Sequence, residues 1–227
     1  MLFFTAAPSG AFSLLGLSIG DATTQEVVEG YTLMRALQPI RILGTPGFTD
    51  WLLDHPPFSA TLARYLHPPL ERYQITDRGN GLYDVNDLGS LRGNLRLVAR
   101  GPNRRVYLCQ GKFRSLAYLF NLSGNLVFAL EYREVRAGSE FYTEVSPLLY
   151  LRLDNVLAHG VLKVVAPLIH GLIDRRVANL TIAAQLVGER LTRDPEALYR
   201  EIRGWSEIRP EDLQMFRQTF LPPEVAR

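Results

Sequence analysis

Four histidines and one cysteine are the side chains of this 227-residue chain best suited to metal binding or nucleophilic chemistry. His55 and His67 each precede a Pro-Pro pair, which suggests two ligands of one metal. The stretch 58–66 between them reads as a helix about 13 Å long, whereas zinc holds its nitrogen ligands at about 2 Å. His159 and His170 stand about three turns apart on one long helical pattern, too far apart to share an ion. All four are expected in loops or core, with no metal site. Cys109 lies in a strand-like run, Val106-Tyr107-Leu108-Cys109, with no helix N-terminus beside it, and is expected to be a small buried hydrophobe. Gly79-Asn80-Gly81 is a hairpin turn and not a phosphate loop. Glu131 and Glu144 fall on neighbouring strands, where such charges are ordinarily solvated. No catalytic residue and no cofactor are expected.

One charge pattern stands out. Residues 88–130 contain no Asp or Glu but hold Arg92, Arg96, Arg100, Arg104, Arg105, Lys112 and Arg114. The even spacing of Arg92, Arg96, Arg100 and Arg104 places them on one face if a single strand runs through them. Arg92, Arg96, Arg100, Arg104 and Arg105 would then form a patch for an anionic membrane surface or headgroup. The competing explanation is cross-strand pairing with Glu131, Glu134, Glu140 and Glu144.

Bulk composition is that of a globular protein, with 47% hydrophobic and 21% charged residues. A net charge of only +2 gives no reason to expect nucleic acid as a partner. The single cysteine forbids an internal disulfide and fits a reducing, cytoplasmic compartment. Residues 2–20 carry no charged side chain, so export is the alternative if residues 1–22 act as a signal peptide. A translation start at Met34 is a further reading.

The elements that must position these residues follow a distinctive order. Residues 24–37 read as a short amphipathic helix stopped by Pro39. Residues 48–53 and 58–66 read as two short helices, the second bounded by Pro57 and Pro68. Strand-like segments then follow at 72–76, 82–86, 94–100, 105–113, 126–135 and 141–153, with no helical crossover between them. Alternation implies one buried and one wet face, hence an antiparallel sheet. On the last strand the odd positions Phe141, Thr143, Val145, Leu149, Leu151 and Leu153 form the inward face. From 156 to 190 the period becomes helical, with an apolar stripe through Leu157, Val161, Val165, Leu168, Leu172, Leu180, Ala183 and Val187. Pro167 is expected to kink this helix. Asp194-Pro195-Glu196 and Pro210-Glu211-Asp212 start two short final helices. The fold class is thus α+β: a curved antiparallel sheet gripping one long C-terminal helix, with short helices before and after. Its parts are an N-terminal extension (1–38), the sheet-and-helix domain (39–190) and a helical tail (191–227).

Residues 126–154 and 157–190 resemble the StAR-related lipid-transfer and polyketide-cyclase-like superfamily, the helix-grip fold. The similarity lies in Tyr150-Leu151-Arg152-Leu153-Asp154, then Val164-Val165-Ala166-Pro167-Leu168 and Asp174-Arg175-Arg176-Val177. Two departures are visible: a first strand before the helix pair exists only if 38–43 supplies it, and helices follow the long helix. The resemblance implies an apolar cavity between sheet and long helix, lined by Phe128, Tyr132, Phe141, Thr143, Leu149, Leu151, Leu168 and Leu172. It also implies non-catalytic binding or transport of a hydrophobic small molecule or lipid. An enzyme acting on an aromatic or polyketide-like substrate, and an interaction module or homo-oligomer using the apolar helix, are the alternatives, since fold does not fix function.

Overall fold

The computed structural model describes residues 12–88, 91–115, 120–154 and 159–221, without the side chains of 113–115, 120–121, 159–169 and 172. The chain enters through a hairpin of β1 (Phe12–Leu14) and β2 (Leu17–Ile19). Leu15 and Gly16 between them have φ of 53° and 72°, the left-handed geometry that two-residue hairpin turns require. Helix α1 (Ala22–Glu29) follows, capped by the Asp21 carboxylate, which accepts from the Thr24 N–H at 2.8 Å. It ends at Glu29 with Gly30 as its C-cap, eight residues short of the 24–37 expectation. Beyond that glycine the chain is extended as β3 (Leu33–Ala36) and β4 (Ile40–Leu43). The apolar residues Tyr31, Leu33 and Met34 had suited the helical period as well as this extended one.

Two helices follow, α2 (Pro46–Asp54) and α3 (Pro56–Leu66), each with proline in its first turn, where no N–H is needed. The remaining strands are β5 (Gln74–Asp77), β6 (Leu82–Asn86), β7 (Leu91–Gly101), β8 (Arg104–Ser115), β9 (Phe120–Ala137) and β10 (Glu140–Leu153). Helix α4 (His159–Arg193) runs through Pro167, and α5 (Pro195–Ile202) and α6 (Pro210–Phe220) close the chain. Among the described residues no helix is long and apolar enough to cross a membrane.

The sheet order is β3-β10-β9-β8-β7-β6-β5, and every pairing is antiparallel. Strand β4 also pairs with β10, so β3 and β4 are one first strand broken at Leu37-Gln38-Pro39. Pro39 cannot donate to a ladder, and the Leu37 N–H still reaches the Pro147 carbonyl at 2.9 Å across the break. First strand, helix pair, six-strand meander and long helix make this a helix-grip fold. Its sheet begins at Leu33, ahead of position 39.

Both faces of the sheet are covered. Helices α2, α3 and α4 take the inner face, as alternation in β10 foretold. The outer face, expected to be wet, is sealed over its centre by the β1–β2 hairpin and α1. Val27, Val106, Val127 and Ala129 have no exposed surface there, and Leu148 and Tyr150 pack alongside. Tyr150, at an even position of β10 and so on the outer face, is half-buried and meets Tyr31 edge-on at 5.9 Å. Tyr150→Asp is therefore expected to cost about 2 kcal/mol in denaturant unfolding, from lost packing and a poorly solvated charge. A cost near zero would mean that the N-terminal segment does not seal this face.

The C-terminal half of α4 is anchored in packed side chains. Ala183, Val187 and Leu191 are buried, while Leu180, assigned to the buried stripe from sequence, is 45% exposed. Val187 and Leu191 join Phe58, Leu62, Leu198, Ile202, Ile208 and Phe216 in a separate helical core. The tail helices therefore help anchor the end of the long helix.

Candidate functional site

The pairing register puts Leu95, Leu97, Tyr107, Cys109, Leu126, Phe128, Leu130, Tyr132, Val145, Leu149 and Leu151 on the helix-facing side of the sheet. That side changes character along the strands. At one end Tyr107, Leu130, Tyr132 and Val145 are buried in a cluster that includes Ile42. At the other end Leu95, Cys109, Leu126, Phe128 and Leu151 keep partial solvent access. We call this partly open stretch of the helix-facing side the recess. Desolvation pushes the Cys109 thiol and the nearby Tyr73 hydroxyl each up to about 12, yet neither residue is fully sealed.

Helix α4 is tied to both margins of the sheet. Asp174 pairs with Arg35 of β3 at 2.6 Å, and Arg176 pairs with Asp87 beyond β6. His67 Nε2 lies 3.4 Å from the Asn179 side-chain oxygen, joining the end of α3 to α4. The recess thus has a floor of Leu95, Cys109, Leu126, Phe128 and Leu151, with Tyr73 at its side.

The buried end carries polar machinery that the sequence reading missed. Arg105 is 2% exposed, and all five of its N–H donors are used. Its Nη2 meets Asp50 at 2.5 Å and Asp54 at 3.4 Å, and Nε meets Asp54 at 3.2 Å. Its Nη1 donates to the Gly101 and Arg104 carbonyls at 2.9 and 2.8 Å. Burial alone would lower the Arg105 pKa; hydrogen bonding to Asp54 and the adjacent carboxylates outweigh it and raise it. The Tyr132 hydroxyl donates to Asp50, and the Tyr107 hydroxyl to the Leu53 carbonyl at 2.9 Å. Desolvation pushes both phenols well above their ordinary range, with the Asp50 contact adding to the shift at Tyr132. Asp50 and Asp54 stand four apart on α2, the one signal that could have revealed a shared partner.

Three of the expected cavity residues are placed elsewhere. Tyr132 is held against α2 by Asp50. Thr143 is fully buried and donates to the Gly44 carbonyl at 3.0 Å, bracing the loop before α2. Phe141 is 43% exposed at the β9–β10 turn, its ring 5.5 Å from the Arg136 guanidinium. Phe128, Leu149 and Leu151 do share the helix-facing side, with Leu149 buried. The side chains of Leu168 and Leu172 lie outside the described residues.

The five arginines do not share a face. A bulge between Leu97 and Ala99 inserts one residue and reverses the alternation. Arg92 and Arg96 consequently sit on the outer face, and Arg100 on the α2 side. Arg96 pairs with Asp21, Arg100 with Asp54 and Arg104 with Glu131 at 3.0 Å, while Arg105 is the buried anchor just described. Asp21 loses solvation, but hydrogen bonds from Thr24 and Arg96 prevail and hold its carboxyl below the usual range.

With its pKa near 12 the Cys109 thiol is protonated at neutral pH. Two histidines are engaged away from it, His55 with the Trp51 carbonyl at 2.7 Å and His67 with Asn179. Among the described residues no three His, Cys, Asp or Glu side chains gather as a metal site.

No protein-family model and no curated protein matches this chain. Among solved structures it is similar to a truncated norcoclaurine synthase from Thalictrum flavum, with TM-score 0.42, 16% identity and coverage of 72% of this chain and 96% of that one. It is also similar to a conserved protein from Geobacillus kaustophilus, with TM-score 0.40, 10% identity and coverage of 66% and 93%.

Proposed function

We propose that this chain binds a hydrophobic small molecule or lipid in the recess between the sheet and α4, without transforming it. The observation that carries this reading is the contrast between the two sheet faces. On the outer face Val106, Val127 and Ala129 are fully buried under the N-terminal segment, whereas Leu95, Cys109, Leu126, Phe128 and Leu151 are all left partly open on the helix-facing side. Half-open apolar surface in a concave setting gains free energy when an apolar ligand covers it, at about 25 cal/mol per Å². The protonated thiol and phenol beside it suit a neutral ligand better than an ionic one.

Uptake of a fluorescent fatty acid by the purified protein tests this. Leu126→Trp should fill the floor of the recess and weaken uptake about tenfold or more, with an unfolding midpoint close to that of the wild type, since occupying existing space avoids the penalty of overpacking. A wild-type protein that takes up no fatty acid or sterol probe, or a variant that binds as well, would overturn the proposal.

A further inference from the structure

A second hollow lies on the opposite side of the sheet, and nothing in the recess requires it. It is a groove of about 620 Å³ on the outer face, past the end of the α1 cover. We infer that this groove is a binding site for a hydroxyl-rich ligand of the saccharide class.

The floor is made by glycine. Gly93, Gly111 and Gly124 are direct cross-strand partners on β7, β8 and β9. A Cβ on Gly93 would lie 2.3 Å from the Gln110 carbonyl oxygen, and one on Gly124 2.4 Å from that of Arg152. The strands can approach in this way only without side chains, so the hollow coincides with a line of tight coiling built into the sheet. Above that line the register aligns three amides, Asn94 opposite Gln110 and Gln110 opposite Asn125. Gln110 donates to Asn125 at 3.1 Å, and the Asn94 amide nitrogen donates to Asp84 and to the Gly93 carbonyl, each at 3.2 Å, which leaves donors on Gln110 and Asn125 and acceptor positions on all three. Each amide offers two donors and two acceptor positions, so the row can still both give and take hydrogen bonds. Hydroxyl groups do the same, and that match is what selects a saccharide.

Charge narrows the class further. Among the described residues Arg92 and Lys112 line the groove together with Asp84 and Asp154, so both signs are present. Asp84 is already paired with Arg78. A mixed lining disfavours a strongly anionic or cationic ligand, and among the described lining residues Val85 alone is apolar. Strands β8 and β9 carry Leu108 and Val127 on this same face beneath the N-terminal segment, so the change from sealed apolar to open amide surface occurs within two residues.

The test titrates full-length protein with glucose, galactose, trehalose and maltotriose at millimolar concentration, following side-chain amide resonances by NMR. At least one sugar should shift the Asn94, Gln110 and Asn125 signals. The double variant Gln110→Leu, Asn125→Leu should weaken that sugar about tenfold or more, with fatty-acid uptake and unfolding midpoint unchanged. Ser123→Trp, which places an indole in the groove, gives an independent block. No shift with any sugar, or undiminished binding by both variants, overturns the inference. Saturable binding of inorganic phosphate at these residues in place of sugar overturns it in favour of an anion site.

Discussion

Arg105→Met is expected to lower the unfolding free energy by about 3–5 kcal/mol, roughly 6–20 °C in Tm for a chain of this size. Methionine fills most of the volume, so the loss is electrostatic and not steric. The guanidinium is buried and fully hydrogen-bonded, whereas Asp50 and Asp54 are only partly exposed. Its removal leaves two carboxylates facing each other, with Arg100 as a half-solvated partner of one of them. Two backbone carbonyls, of Gly101 and Arg104, also lose their donor. Arg105→Lys keeps the charge but offers three donors in place of five, and should recover part of the loss. In an Asp50→Asn, Asp54→Asn background the same Arg105→Met change should cost much less, because no excess negative charge remains; denaturant unfolding of all four combinations gives the coupling directly. A single-variant cost below about 1 kcal/mol would mean that α2 docks on the sheet by its apolar contacts alone.

The parts of this fold that were legible are those where one periodicity holds without competition. Strand β10 has apolar odd positions, and both its direction and its inner face follow from that. Pro57, Pro68 and Pro195 mark helix boundaries because a proline lacks the N–H that a helix interior needs. The first strand was harder to read. It is two four-residue pieces split by Leu37-Gln38-Pro39, each too short to show a period. Sealing of the outer face did leave a signal, since Leu126-Val127-Phe128-Ala129-Leu130 is apolar at every position and not at alternate ones. A strand of that kind is buried on both faces even in an antiparallel sheet. Its cover, residues 12–29, lies about a hundred positions away and cannot be inferred from local pattern. The arginine series misled for a local reason. Leu97-Val98-Ala99 is apolar throughout, so a bulge there costs nothing in pattern and is invisible, yet it sends Arg96 and Arg100 to opposite faces. In the candidate recess, Phe128 and Leu151 could be read from alternation, but Leu95, Cys109 and Tyr73 depend on how far α4 and the short strands reach over them.

How α4 is seated decides whether there is a recess at all, and Gly188 sets that seat. A Cβ at this position would stand 2.5 Å from Ile42 Cγ2 and 2.9 Å from the Leu43 carbonyl oxygen, closer than a carbon can come to either. Helix and first strand therefore touch backbone to backbone, and Thr192 donates to the same Leu43 carbonyl at 3.1 Å. Gly188→Leu cannot be absorbed by rotating one side chain, because β4 is itself held to β10 at four register positions. The helix must lift, and Val187 and Leu191 lift with it from the helical core. The expected cost is about 4 kcal/mol or more, among the largest for any single change in this chain. Gly188→Ala separates steric from intrinsic effects: alanine favours a helix over glycine by about 1 kcal/mol, so a net loss with alanine would come from the contact. On the proposed binding mode, lifting α4 also opens the space over Leu126 and Phe128, so a Gly188→Leu protein that remains folded should bind an apolar probe less tightly than the wild type. Gly188→Leu with wild-type stability and undiminished probe retention would show that the helix does not rest on β4 at this glycine.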